Sequence, residues 1–120
     1  MGLMSDRILV VDDDASIRRT FQRHLSEQGH TVSVASTAEE ALSQLSDFGP
    51  TLLIADIRMP GMDGIELLRR VRAAGDDIDV LIITAHEDMA TAVTAMKAGA
   101  YDYMVKPLDL DAIDRLLKEA

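Results

Sequence analysis

Apolar positions along the chain fall into two rhythms. Ile8-Leu9-Val10-Val11, Leu52-Leu53-Ile54-Ala55 and Val80-Leu81-Ile82-Ile83 are unbroken aliphatic blocks, the composition of strands covered on both faces. Thr31 to Ala35 alternates and predicts an edge strand, while Tyr101 to Val105 predicts a fifth strand, with Pro107 barring further ladder pairing. Helical spacing fills the intervals. Ile17, Phe21 and Leu25 recur at i, i+4, i+8 within Ala15 to Gln28, and Gly29 ends that helix. Ser36-Thr37-Ala38-Glu39 carries a capping-box signature ahead of Ala41, Leu42 and Leu45, and Pro50 closes the connection. Pro60-Gly61 marks a turn, and Asp63 caps a helix with Ile65, Leu68 and Val71 inward that stops near Gly75. Asp88 to Ala98 is helical up to Gly99, and Asp109 or Asp111 caps a last helix carrying Ile113, Leu116 and Leu117.

Five β–α units with apolar strands predict an α/β fold: a doubly wound, five-stranded parallel sheet in a three-layer α/β/α sandwich. Sites in such folds form beyond the carboxyl ends of the strands, where the winding direction reverses. Asp12-Asp13-Asp14 ends strand one, Asp56 strand three, Thr84 strand four and Lys106 strand five. A parallel sheet therefore gathers these polar groups at one end.

Length and charge narrow the picture. The 120 residues suit one domain, 1–120, with residues 1–5 read as an N-terminal extension in which a vector-derived remnant is expected ahead of a natural start at Met4. A formal charge of −9 argues against direct nucleic-acid binding by this domain. The absence of Cys fits a reducing, cytoplasmic setting, and apolar runs of four residues cannot span a membrane.

Converging carboxylates repel, so they either hold protons or surround a cation. Hard oxygen ligands favour Mg²⁺. A carboxylate in such a place is a nucleophile toward phosphorus, and a Lys ammonium offsets charge on the transferred group. Asp12 and Asp13 are the metal candidates, Asp56 the nucleophile, and Lys106 and Thr84 the groups that meet phosphoryl oxygens.

The segments Ile8 to Asp14, Asp56-Ile57-Arg58-Met59-Pro60-Gly61-Met62-Asp63-Gly64, Ile82-Ile83-Thr84-Ala85 and Gly99 to Pro107 together resemble the response-regulator receiver domain of two-component signalling. The resemblance covers nearly the whole chain. It implies strand order 2-1-3-4-5 in a flavodoxin-like fold and phosphorylation of Asp56 by a sensor histidine kinase. It implies a Mg²⁺ site of Asp12, Asp13, Asp56 and the Arg58 carbonyl, a switch pair of Thr84 and Tyr103, and a cis Lys106-Pro107 bond. The chain is then a phosphoacceptor rather than an enzyme. A homodimer through the helix 4, strand 5 and helix 5 face is a further expectation. The wording DIRMPGMDG and MKAGAYDYMVKPLDLD is similar to the receivers of NtrC-like transcription activators, so the chain is expected to be the regulatory part of a transcription regulator, with a stand-alone regulator as the alternative.

Simpler roles compete at single positions. Asp14 is expected to cap the first helix, where the helix dipole favours an acid. Tyr101 rivals Tyr103, since both lie on one face of strand five. Arg58 and His86 flank the pocket mouth and are expected to affect water access. Met59 and Met62 read as packing residues. A haloacid-dehalogenase-type phosphatase would use Asp12-x-Asp14 but leaves Asp56 without a role. A pseudo-receiver and a flavodoxin fit less well still.

Overall fold

A computed structural model describes residues 6–85 and 89–119. The strands are β1 (Arg7–Val11), β2 (Thr31–Ala35), β3 (Leu52–Asp56), β4 (Asp79–Thr84) and β5 (Asp102–Val105). The helices are α1 (Ala15–Glu27), α2 (Ala38–Phe48), α3 (Gly64–Ala73), α4 (Met89–Lys97) and α5 (Leu110–Glu119). All strands are parallel and ordered β2-β1-β3-β4-β5.

Side-chain alternation divides the core. Ile8, Val10, Leu52, Ile54, Leu81 and Ile83 pack with Phe21 and Leu25 of α1 and Ile113 of α5. Leu9, Val11, Leu53, Ala55, Val80 and Ile82 face α2, α3 and α4 through Ala38, Ala41, Leu67, Leu68, Val71 and Ala95. Each fully buried Leu or Ile contributes roughly 1.5–3 kcal/mol of transfer free energy, which is why the strands flanked on both sides carry the densest aliphatic runs. β3, the middle strand, is buried at every residue.

The helix caps follow local chemistry, with one departure. Asp14 accepts from the Ser16 N–H and Asp63 from the Glu66 N–H. Asp109 is the cap of α5, its Oδ1 accepting from Asp111 and Ala112. The capping box of α2 is shifted by one residue from the sequence expectation. Thr37 is the N-cap and accepts from the Glu40 N–H, while Glu40 Oε1 accepts from the Ser36 N–H. Glu39 and Glu40 are both acidic and adjacent, so a spacing rule alone selects the wrong one. β5 begins at Asp102, one residue later than the sequence predicts, with the Tyr101 N–H donating to Val80 O just ahead of it. α4 opens at Met89, and Asp88 lies outside the described residues.

Two glycines have specific geometric duties. Gly49 ends α2 in the left-handed region at φ 64°, which costs a glycine little. Gly64 opens α3 against the Asp56–Ile57 peptide. A Cβ there would overlap the Asp56 carbonyl oxygen and lie 3.0 Å from Ile57 Cα.

Candidate functional site

β1 and β3 are neighbours, so Asp12 and Asp56, each at or just past a strand end, come to lie side by side. Asp12 is buried, and its N–H extends the β1–β2 pairing by donating to Ala35 O. Its Oδ1 accepts from the Asp14 N–H at 2.9 Å, and its backbone carbonyl accepts from Arg18 Nη1 at 2.8 Å. Asp56 is buried too, at 6 % exposure, with Oδ1 accepting from the Arg58 N–H at 3.2 Å. The loop that follows is held by two further bonds, Ile57 N–H to Ile83 O and Gly64 N–H to Ile57 O.

Lys106 enters from the end of β5. Its N–H donates to Thr84 O, which fixes where its side chain starts. Nζ donates to Asp56 Oδ2 at 3.0 Å and lies 3.9 Å from Asp12 Oδ2. The Lys106-Pro107 bond is cis, as the resemblance implies.

Asp12, Asp13 and Asp56 each offer a carboxylate oxygen, all within 4.8 Å of one another, so the cluster can hold a metal ion. Asp12 and Asp56 are buried and Asp13 is exposed, an open-sided arrangement that leaves room for water. The donors are all oxygen, the set a hard cation takes. Three carboxylates against one ammonium leave two negative charges uncompensated, the charge a divalent cation would balance.

The electrostatics carry the same imprint. Burial pushes the Asp12 carboxyl up from 3.8 to about 6; the Asp14 N–H opposes this, and the nearby Asp56 and Asp13 charges add to it. Burial by itself would lower Lys106. Its hydrogen bond to Asp56 and the charges of Asp56, Asp12 and Asp13 outweigh that and raise it above its ordinary value. Asp14 is lowered by its hydrogen bonds to Ser16.

Thr84 is fully buried at the end of β4, and its hydroxyl donates to Ala85 O at 3.1 Å. It sits between the strands that bear Asp56 and Lys106. Tyr103 pairs with Ile82 and packs, partly buried, on the core face shared with α4; Tyr101 belongs to neither core cluster. Packing thus separates two tyrosines that period-two spacing leaves equivalent. Arg58 is exposed, next to a cleft of about 580 Å³ bounded by Met59, Pro60 and Thr91. That cleft flanks the acidic cluster without containing it. His86 lies outside the described residues. Met59 is buried and Met62 partly so, both against the core.

Sequence reasoning did not find Arg18 or the close approach of Gly64 to Asp56. A basic residue one turn into the helix after an acidic run was the available signal for the first. The second depends on how α3 sits on β3.

The described geometry is an acidic cluster able to hold a hard cation, with a lysine beside it, at the carboxyl end of a doubly wound sheet. The chain belongs to the response regulator receiver domain family, whose model matches residues 8–118. It is 42% identical over 110 residues to the response regulator MprA of Mycobacterium ulcerans, covering 92% of this chain and 47% of that protein. It is also 42% identical over 113 residues to the DNA-binding transcriptional regulator NtrC of Salmonella typhimurium, covering 94% of this chain and 24% of that protein. The receiver domain of NtrX from Brucella abortus superposes with a TM-score of 0.88 at 35% identity, covering 93% of this chain and 95% of that one. The chain therefore spans about half the length of one curated relative and about a quarter of the other. Among the described residues no helix is long and apolar enough to cross a membrane.

Proposed function

We propose that Asp56 accepts a phosphoryl group from the phosphohistidine of a sensor kinase and that the resulting acyl phosphate switches the domain. The observation that carries this is the Lys106 ammonium 3.0 Å from Asp56 Oδ2, beside the three-acid cluster. One carboxylate oxygen of Asp56 attacks phosphorus, the phosphorus–nitrogen bond breaks, and the electron pair leaves with the histidine ring. Mg²⁺, held by Asp12, Asp13, Asp56 and the Arg58 carbonyl, would neutralise charge on the phosphoryl oxygens. Lys106 moves from the carboxylate to a phosphoryl oxygen and supplies the second positive charge.

The Thr84 hydroxyl then exchanges Ala85 O for a phosphoryl oxygen. Thr84 and Tyr103 share the sheet face that α4 covers, which supports a coupled movement of the two side chains. Residues 1–120 act as one receiver, phosphoacceptor rather than enzyme, in a cytoplasmic protein that regulates transcription. Val93 and Met96, exposed on α4, support a homodimer face made of α4, β5 and α5. The phosphatase alternative loses its second acid, because Asp14 is engaged in capping α1.

Incubation with acetyl phosphate and Mg²⁺, followed by mass spectrometry, is expected to add one phosphoryl group to the chain. The addition should vanish in Asp56→Asn. Label on Asp12 instead would overturn the assignment.

A further inference from the structure

Asp13 is the exposed member of the acidic cluster. Its carboxylate direction depends on the orientation of the Asp12–Asp13 peptide, and a peptide after a strand end has two soft dihedrals on either side to turn about. Three contacts restrain Asp12 itself: its N–H to Ala35 O, its Oδ1 to the Asp14 N–H, and Oδ2 facing Lys106. The remaining polar atom, the Asp12 carbonyl oxygen, belongs to the peptide that leads to Asp13. It accepts from Arg18 Nη1 at 2.8 Å. Arg18 is itself anchored, since its N–H donates to Asp14 O in the first turn of α1. The half-buried guanidinium thus ties the helix to the one carbonyl whose rotation would swing Asp13 off the cluster.

We propose that Arg18 is a positioning residue for the cation site, fixing the Asp12–Asp13 peptide so that the Asp13 carboxylate stays within reach of Asp12 and Asp56. This rests on the cation-site reading above. Geometry and charge make opposite predictions here. Arg18 is a positive charge beside a site for a positive ion, so removing it should tighten cation binding if charge alone acts. Removing a restraint on a ligand should weaken it, on the order of tenfold.

Titration calorimetry with Mn²⁺ on the full 120-residue chain separates the two. Arg18→Met is expected to bind about tenfold more weakly than the parent, with a thermal melt in EDTA showing that it remains folded. Arg18→Lys, which keeps a donor and the charge but not the planar fork, is expected to recover part of the affinity and serves if the Met variant does not fold. The cycle with Asp13→Asn supplies the decisive readout: if Arg18 acts through Asp13, its penalty shrinks in that background, whereas a general structural role carries the same penalty in both. Equal or tighter binding by Arg18→Met overturns the proposal, as does a penalty undiminished in Asp13→Asn. If Asp13→Asn alone leaves affinity unchanged, the cation-site reading itself fails, whatever Arg18 does.

Discussion

Asp12 carries its carboxyl in a buried position at the end of β1. Its carboxyl is raised from 3.8 to about 6 chiefly by burial, so between those values the folded chain binds a proton that the unfolded chain does not. Stability contributed by this group therefore falls as pH rises through about 6 and is recovered as pH drops toward 4. In the cation-free protein Asp12→Asn is expected to be more stable by about 1–2 kcal/mol at pH 7.5. The gain should shrink at pH 5, where the native carboxyl is already protonated. Urea denaturation at both pH values checks this, and an equal gain at both would rule out the burial of a charge as its source. Lys106 depends on the same neighbours in the opposite sense. Its charge is favoured by its hydrogen bond to Asp56 and by the charges of Asp56, Asp12 and Asp13, which together outweigh burial.

At the level of elements, the site is built from the ways helices meet strand ends. α3 can begin against the peptide that follows Asp56 only because Gly64 has no Cβ to strike the Asp56 carbonyl. Gly64→Ala is expected to cost about 1–3 kcal/mol, the range of an overpacked contact, and also to slow acetyl phosphate labelling, because the peptide that must shift carries the nucleophile. Gly29→Ala is the matched control: its φ of 95° strains any side chain, yet nothing lies within 4 Å of the added Cβ. It should lower the urea midpoint without changing the labelling rate. Loss of labelling in both variants would trace the effect to stability alone. On the opposite flank, Arg72 of α3 donates to Asp76 O and to Gly99 O, tying the end of α3 to the end of α4. The end of α4 near Thr91, by contrast, borders the open cleft.

The whole molecule responds to a cation through linkage. A ligand that binds only the folded state at a hundred times its dissociation constant adds about 2.7 kcal/mol, several degrees in melting temperature for a domain of this size. Mg²⁺ is expected to raise the melting temperature of the parent chain and to raise that of Asp13→Asn much less. The effect should fade below pH 6, because Asp12 takes up a proton there in competition with the cation. Differential scanning fluorimetry across that range tests both points, and an undiminished shift at pH 5 would exclude Asp12 as a ligand.

Much of this architecture was legible along the chain. Solid aliphatic runs separated by amphipathic stretches dictate a parallel sheet between helix layers, since apolar strands of this kind are stable only when covered on both sides. That topology by itself sends Asp12, Asp13, Asp56, Thr84 and Lys106 to one end of the sheet. Local capping chemistry likewise determined Asp14 and Asp63. What required the tertiary structure were choices between residues equivalent in pattern. Glu40 rather than Glu39 closes the α2 box because of where the backbone turns after Ala35. Tyr103 rather than Tyr101 packs on the core, because only the later position lies over the α4 side of Ile82. Arg18 reaches the Asp12 carbonyl and Gly64 abuts Asp56 because each helix packs back against the end of the strand it follows. Periodicity specifies which face a residue occupies; which atom it touches is decided by the packing of whole elements against one another.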